Sequence, residues 1–240
     1  GNWAFKIINE INLNKNYNLN SIVCRKNQIF KNKIQVFKNI ESLIESNNCD
    51  CIYIAALPKV NLRVIKLLEH KKIHLIIEKP VSDTLRNLQK IKRILENNDL
   101  IIYPNLTNYF SQTFEEFKHV VDINFTKIKE IIVYEGNFGP FRKDIHPIWD
   151  WGFHSISLLF LIFWGREFSV VEKKEITSNN KYGKGIVTKF TFKINNINVK
   201  IVTGNLFKKK LRKMKIIIND NNHIINDMVD HQIYSNNKII

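Results

Sequence analysis

The sequence predicts an α/β fold: a parallel-sheet domain over residues 1–108, followed by an α+β domain with a mostly antiparallel open sheet over residues 109–240. In the first part, short apolar runs alternate with segments whose apolar residues repeat at helical spacing. Two of these runs stop at a proline, Pro58 or Pro80, as buried strands do at the edge of a sheet. After about residue 109 the runs follow one another across turn residues instead of helices.

The first part begins with a helix, in which Ile7, Ile8 and Ile11 repeat at helical spacing. The predicted strands are 21–24, 35–37, 51–56, 73–80 and 101–103, and the later helices are 40–45, 60–70 and 85–95. Asp83 or Thr84 is placed to cap the last of these helices. Strands that alternate with helices in this way form βαβ units, so a parallel, doubly wound sheet is expected.

The second part is predicted to contain two helices, 114–121 and 149–164, the latter ended by Gly165. Its predicted strands are 128–135, 168–172, 187–194, 199–203, 215–218 and 224–228. Asn195-Asn196 and residues 220–222 have the composition of hairpin turns. Hairpin-linked strands with a long helix indicate an antiparallel sheet of the α+β class.

Composition narrows the functional classes. With 240 residues and 44% hydrophobic residues the chain can bury a sizeable core. The net charge of +15 is spread along the chain, and its one dense run, residues 208–213, is interpreted as a solvated hairpin or edge strand rather than a nucleic-acid site.

No apolar run reaches the length of about 18 residues that a membrane helix needs, and no signal peptide is recognisable, so we expect a cytoplasmic protein. Cys24, Cys49 and Cys51 lack metal-site spacing, and no metal is predicted.

Glu78 and Lys79 close the apolar run that ends at Pro80. Because ligands bind at the carboxyl edge of parallel strands, the Lys79 ammonium is placed to reach a substrate hydroxyl or a cofactor ribose. The alternative is a solvated ion pair at the end of a strand.

The opening Gly1-Asn2-Trp3-Ala4 fits the end of a glycine-rich turn whose helix N-terminus holds a pyrophosphate. Arg25 follows the second predicted strand, where arginine accommodates the 2'-phosphate of NADP and an acid binds the 2'-hydroxyl of NAD. Arg25 therefore favours NADP, although two exposed basic residues in a lysine-rich chain explain it equally well.

Asp150 and His154 lie four residues apart, on one face of the predicted helix 149–164. A carboxylate in this position can orient the imidazole or a substrate, and the histidine can exchange a proton near neutral pH. Gly152 is expected to keep that face clear for a ligand. The alternative is a helix-capping aspartate with a structural histidine.

Taken together, Glu78-Lys79-Pro80 and Asp150-x-Gly152-x-His154 resemble the Gfo/Idh/MocA oxidoreductases, relatives of glucose-fructose oxidoreductase and inositol dehydrogenase. The resemblance also covers residues 54–58, 109–114 and 136–142. It implies a Rossmann-type first domain and hydride transfer between NAD or NADP and a hydroxyl-bearing carbon of a sugar, cyclitol or nucleotide sugar. It assigns catalysis to Lys79, Asp150 and His154. The residues it assigns to cofactor binding are Gly1, Asn2, Trp3, Arg25, Ala56, Pro58, Glu78 and Lys79. A dimer or tetramer, without nucleic-acid or membrane partners, is expected.

The chain departs from the family pattern in several ways. The first strand and first glycine of the turn are absent, and the sequence stops at Ile240, before the last strand and helix that such proteins carry. Asn61 stands where many relatives have histidine, and His146 lies in a segment where many have glycines. The alternative function is therefore a truncated, catalytically silent relative that acts through protein contacts. Cofactor binding separates the two hypotheses.

Overall fold

The structure is a computed structural model that describes residues 2–24, 34–46, 49–142 and 145–239. It divides into two compact units, Gly1–Asn105 and Leu106–Ile240. The prediction placed the boundary after residue 108, and the assignment of cofactor binding to the first unit and substrate binding to the second stays a prediction.

The first unit alternates strands with helices, as predicted. Its helices are α1 (Asn2–Leu13), α2 (Ile40–Glu45), α3 (Asn61–Leu67) and α4 (Leu85–Glu96). Its strands are β1 (Ser21–Val23), β2 (Gln35–Phe37), β3 (Cys51–Ile54), β4 (His74–Glu78) and β5 (Ile102–Asn105). β1 pairs with β2, and β4 lies between β3 and β5, all in parallel. Among the described residues, the strands form two separate parallel sheets, β1-β2 and β3-β4-β5.

Burial and capping explain these elements. In β4, Leu75 and Ile77 are buried, and they pack with Ile65 of α3 and Ile91 of α4 in one core. α4 begins where the Thr84 side chain accepts a hydrogen bond from the backbone N–H of Asn87 at 3.2 Å, which confirms one of the two predicted caps. The core therefore fixes β4, whose carboxyl end carries Glu78 and Lys79.

The described residues of the second unit form α5 (Gln112–Asn124), α6 (Phe153–Ile162) and eight strands. The strands are β6 (Glu130–Phe138), β7 (Phe168–Asn180), β8 (Gly183–Ile194), β9 (Ile197–Gly204), β10 (Leu206–Asn219), β11 (Asn222–Asp227), β12 (Gln232–Ser235) and β13 (Lys238–Ile239). They form one sheet in the order β13-β12-β11-β10-β6-β9-β8-β7. Only β6 and β9 pair in parallel among these described strands. The predicted α/β fold class, with a mostly antiparallel second sheet, is confirmed.

One face of this sheet carries the core of the second unit. Phe117 of α5 and Leu159 of α6 are fully buried against strand residues such as Ile131 and Ile201. At the turn between β8 and β9, Asn195 adopts a φ of 50°, which suits asparagine and confirms the predicted hairpin. The helices thus hold the sheet from one side.

Two segments differ from the sequence-based expectation. The basic run 208–213 forms neither a hairpin turn nor an edge strand. It lies in β10, between β11 and β6, where the pairing with β6 shifts between Leu206 and Leu211. The predicted helix 149–164 is instead a π-helical segment, Ile148–Gly152, followed directly by α6. Neither a bulge nor a π-turn leaves a clear signal in apolar periodicity, because both alter the residue count of an otherwise regular element.

Candidate active-site residues

Glu78 lies at the carboxyl edge of the first unit's parallel sheet and accepts three hydrogen bonds through one carboxylate oxygen. The Trp3 indole Nε1 donates to Glu78 Oε1 at 2.5 Å, and Asn105 Nδ2 donates to the same oxygen at 2.7 Å. The Tyr53 hydroxyl also donates to it. The three donors come from α1, β3 and β5, so the side chains around β4 converge on its last residue.

Tyr53 is the half-buried member of this cluster. Burial, the hydrogen bond to Glu78 and the Glu78 charge together raise the pKa of Tyr53 above its usual value. Its phenol therefore stays protonated at neutral pH and keeps donating to Glu78, while Asn105 Nδ2 lies 2.7 Å from the Tyr53 hydroxyl oxygen. In the part of the chain that the structure describes, the three side chains that donate to Glu78 are neutral.

Lys79 is held through the residues beside it. Glu78 precedes it, and the peptide bond from Lys79 to Pro80 is cis. On the other side, the buried Asn61 donates from Nδ2 to the carbonyl oxygen of Val81 at 2.9 Å. Hydrogen bonds thus fix the chain before and after Lys79, whose side chain is partly exposed.

The remaining predicted cofactor residues fall into two groups. Ala56 lies in the bend that follows β3, and Pro58 begins a short 3₁₀-helix there, so both follow the carboxyl end of the strand next to β4. Asn2 begins α1 and Trp3 contacts Glu78. Gly1 and Arg25, on which the glycine turn and the NADP preference depend, lie outside the described residues.

Sequence reasoning missed Tyr53 and Asn105. Asn105 is the register partner of Glu78 at the end of β4, whereas Tyr53 is level with Ile76, two residues earlier, and reaches Glu78 with its side chain. A polar residue at the carboxyl end of a parallel strand was the available signal, since that edge is where ligands bind.

Asp150 and His154 belong to the second unit. Asp150 lies in the π-helical segment, and its Oδ1 is 3.7 Å from Nη1 of Arg142. His154 is the second residue of α6 and is partly buried. The two remain four residues apart in continuous helical structure, but the wider π-turn changes the angle between them from that of a regular α-helix.

Gly152 serves packing instead of leaving room for a ligand, which corrects the expectation for this residue. It is buried, and a Cβ atom added to it would lie 2.8 Å from Cγ2 of Thr203 in β9. The glycine therefore lets the π-helical segment approach the sheet closely.

The start of α6 is fixed by a buried ionic network. Oε2 of the fully buried Glu135 accepts hydrogen bonds from the Ser155 backbone N–H at 2.9 Å and from the Ser155 hydroxyl. Its Oε1 accepts one from Arg212 Nε at 2.6 Å. Burial outweighs the opposing effects of Arg212 and Ser155 and raises the pKa of Glu135 above its ordinary value. Glu135 thus binds Ser155, the residue after His154, and stabilises the turn that carries the histidine.

The structure also bears on metal and membrane binding. Among the described residues, no group of three or more histidine, cysteine or acidic side chains is arranged to bind a metal ion. None of the helices described is both long and apolar enough to span a membrane.

The sequence of the first unit matches a known protein family. Residues 6–106 match the family model of Gfo/Idh/MocA proteins, described as an oxidoreductase family with an NAD-binding Rossmann fold. Tyr53, Glu78, Lys79 and Asn105 all lie inside the matched region. No curated protein matches the sequence of the chain.

Solved structures match both units. D-galactose-1-dehydrogenase from Rhizobium etli is 13% identical, with a TM-score of 0.79 over 98% of this chain and 77% of that one. Myo-inositol 2-dehydrogenase from Lactobacillus plantarum is 13% identical, with a TM-score of 0.72 over 90% and 70%. UDP-N-acetylglucosamine 3-dehydrogenase from Acidithiobacillus ferrooxidans is 14% identical, with a TM-score of 0.65 over 85% and 65%. At these identities the likeness concerns the fold, and the chain spans about two thirds to three quarters of their lengths.

Proposed function

Because residues 6–106 belong to the Gfo/Idh/MocA oxidoreductase family, we propose that the protein transfers a hydride between NAD or NADP and a hydroxyl-bearing carbon of a sugar, cyclitol or nucleotide sugar. One observation carries this proposal: hydrogen bonds hold the chain on both sides of Lys79, at the carboxyl edge of a parallel sheet. Sugar and cyclitol dehydrogenases share the fold over both units.

The residues at this edge fit a nicotinamide dinucleotide. The hydrogen bond from Trp3 to Glu78 brings the beginning of α1 to the carboxyl ends of the parallel strands, where a helix N-terminus favours phosphate. Tyr53 and Asn105 occupy that edge without adding charge. When bound, the nicotinamide supplies the site that accepts or donates the hydride.

Lys79 has two roles in the proposed reaction. Its ammonium would hydrogen-bond the reacting hydroxyl and the ribose of the cofactor, stabilising negative charge that develops on the substrate oxygen. Such stabilisation needs a donor that is already in place, because reorganising a flexible lysine during the reaction costs free energy. The hydrogen bonds at Glu78 and Val81 supply that restraint from the protein's side.

In the second unit, Asp150 would orient the substrate and His154 would take the hydroxyl proton, returning it in the reverse direction. The position of His154 in the first turn of α6 depends on Ser155, which donates two hydrogen bonds to Glu135. Glu135 is therefore a positioning residue for the proposed acid and base.

The experiment is a titration of the purified protein with NADPH and NADH, followed by nicotinamide fluorescence, and then a screen of sugars and cyclitols for oxidation. We expect one of the cofactors to bind and Lys79→Met to lower kcat by at least about a hundredfold. Cofactor affinity should fall less, by the loss of one hydrogen bond to the ribose. Lys72→Met is the matched control, because Lys72 is exposed just before β4 and should change neither quantity.

Cofactor preference has its own variant. If Arg25 contacts a 2'-phosphate, Arg25→Asp should weaken NADPH binding and leave NADH binding largely intact. A folded protein that binds neither cofactor would contradict the proposed function. So would turnover that survives in Lys79→Met to the same extent as in Lys72→Met.

A further inference from the structure

Three aromatic rings meet on the surface of the second unit, where the segment after β6 lies against the turn between β7 and β8. Phe138 and Phe141 have ring centroids 5.2 Å apart, and each lies 6.1 Å from the centroid of Tyr182. The Phe141 and Tyr182 rings are nearly parallel, at 11°. Phe138 is 51% exposed and Tyr182 is 60% exposed, so the rings meet without being covered.

The backbone around these rings is fixed. The backbone carbonyl oxygen of the buried Asn205 accepts a hydrogen bond from the Gly139 N–H at 2.9 Å. The Asn205 side-chain Nδ2 donates to the carbonyl oxygen of Pro140 at 3.3 Å. Gly183 has a φ of 137°, and a Cβ atom there would lie 3.1 Å from Cβ of Phe141. The turn thus requires glycine so that Phe141 can pack beside Tyr182.

Two basic residues neighbour the rings, Lys181 in space and Arg142 along the chain. The Lys181 ammonium lies 5.0 Å from the centroid of the Tyr182 ring. Arg142 follows Phe141 in the chain, its side chain is 47% exposed, and its guanidinium lies 3.7 Å from Asp150. The three rings with Lys181 and Arg142 are called the aromatic–basic patch below.

We propose that the aromatic–basic patch is a subsite for the nucleoside diphosphate part of a nucleotide-sugar substrate. The base stacks on the exposed Tyr182 ring, and the phosphates are bound by Lys181 and by Arg142, whose planar guanidinium suits phosphate oxygens. The subsite rests on the proposed function, since it assumes that the sugar is held at Asp150.

The order of the groups supports this occupant. Asp150 pairs with Arg142, Arg142 follows Phe141 in the chain, and the Phe141 ring stacks on Tyr182. Sugar, diphosphate and base follow one another in the same order in a nucleotide sugar. A neutral sugar or cyclitol is smaller than this row of groups and offers no anion to Lys181 and Arg142. An apolar protein surface would fit the rings but would offer no anion to the Lys181 ammonium beside Tyr182.

The test is calorimetric titration of the protein with UDP, in the presence of saturating NADH so that any dinucleotide site is filled. We expect UDP to bind, and inorganic pyrophosphate, which lacks a base to stack, to bind at least about tenfold more weakly. Tyr182→Ala and Arg142→Gln should each weaken UDP about tenfold. The matched controls are Trp164→Ala and Arg166→Gln, which remove an exposed ring and an exposed guanidinium elsewhere in the same unit.

The subsite is overturned if folded protein does not bind UDP, or if pyrophosphate and UDP bind with equal affinity. It is also overturned if NADH displaces UDP and Tyr182→Ala does not change the affinity for UDP. A smaller oligomer in Tyr182→Ala by light scattering, with unchanged UDP affinity, would make the patch a protein contact and would also overturn it. UDP binding that responds to Tyr182→Ala in a protein that does not bind NADH would support the subsite while contradicting the oxidoreductase function. The two proposals therefore fail separately.

Discussion

The buried pair of Glu135 and Arg212 is expected to contribute strongly to the free energy of unfolding of the second unit. The two residues are cross-strand partners in β6 and β10, and their side chains are 0% and 12% exposed. Removing one partner leaves the other charge buried without compensation, which costs about 3–5 kcal/mol in comparable pairs. Because a domain is stable by only about 5–15 kcal/mol, Arg212→Met should lose a large part of the free energy of unfolding of the second unit.

The detailed contacts refine this prediction for Glu135→Gln. Both carboxylate oxygens accept hydrogen bonds, one from Arg212 and one from the Ser155 N–H. A glutamine has only one carbonyl oxygen, so its amide group must face one of these donors. Glu135→Gln should therefore be destabilising although its shape is conserved, by about 1–3 kcal/mol or more.

The assay is urea unfolding followed by tryptophan fluorescence, since Trp149, Trp151 and Trp164 all lie in the second unit and only Trp3 lies in the first. With a slope of about 2 kcal/mol per M, the midpoint of Arg212→Met should fall by about 2 M. The control is Lys174→Met, which breaks the exposed pair of Lys174 and Glu172 and should cost no more than about 1 kcal/mol.

A double variant, Glu135→Leu with Arg212→Met, tests whether the two charges compensate each other. It should cost clearly less than the sum of the single variants, because no uncompensated charge remains. Additive losses would refute the reasoning, as would an Arg212→Met variant no less stable than Lys174→Met.

Three further outcomes are expected. Gly152→Ala should lower the free energy of unfolding of the second unit by about 1–3 kcal/mol in urea. Adding Thr203→Ser should recover part of the loss, because it removes the methyl group that lies 2.8 Å from the new Cβ. No recovery in the double variant would count against this clash. Thr84→Ala should cost about 1 kcal/mol in the thermal unfolding of the first unit by losing the cap of α4; an unchanged transition would show that the cap contributes nothing. Burial alone would raise the pKa of Asp227, but hydrogen bonds from Lys213 and two backbone N–H groups outweigh it and hold the pKa below its ordinary value of 3.8. The folded form therefore binds this proton less readily, so stability is lost as pH falls below about 4, and Asp227→Asn should show a shallower acid decline of the urea midpoint; an identical decline would contradict the assignment.

Local pattern predicted the elements that are held by local chemistry. The strand 74–78, the cap at Thr84 and the turn at Asn195 each follow from burial, hydrogen bonding or backbone preference within a few residues. β7 was predicted only as far as residue 172, because most of its later side chains are exposed and show no alternation. It continues to Asn180 because it pairs with β8 along its length, which is a tertiary cause.

The candidate site could be predicted only in part for the same reason. Glu78 and Lys79 stand out because a proline ends their strand, whereas the partners of Glu78 are 25, 27 and 75 residues away along the chain. Glu135 and Arg212 are 77 residues apart and meet only through the register of β6 and β10. A sequence shows which residues have suitable chemistry, but the register of paired strands decides which of them meet.

The two units restrain their predicted catalytic residues in a related way. In each unit a glutamate in a strand accepts hydrogen bonds, and one partner of such a bond is the chain neighbour of the predicted catalytic residue. Lys79 follows Glu78 itself, whereas His154 precedes Ser155, which donates to Glu135. Fixing the neighbour restrains the backbone of the predicted catalytic residue. The described donors to Glu78 are neutral, whereas Glu135 accepts from the Arg212 guanidinium as well as from Ser155. Removal of Arg212 therefore leaves Glu135 without its counter-charge, whereas removal of Tyr53 or Asn105 would leave Glu78 with its other donors.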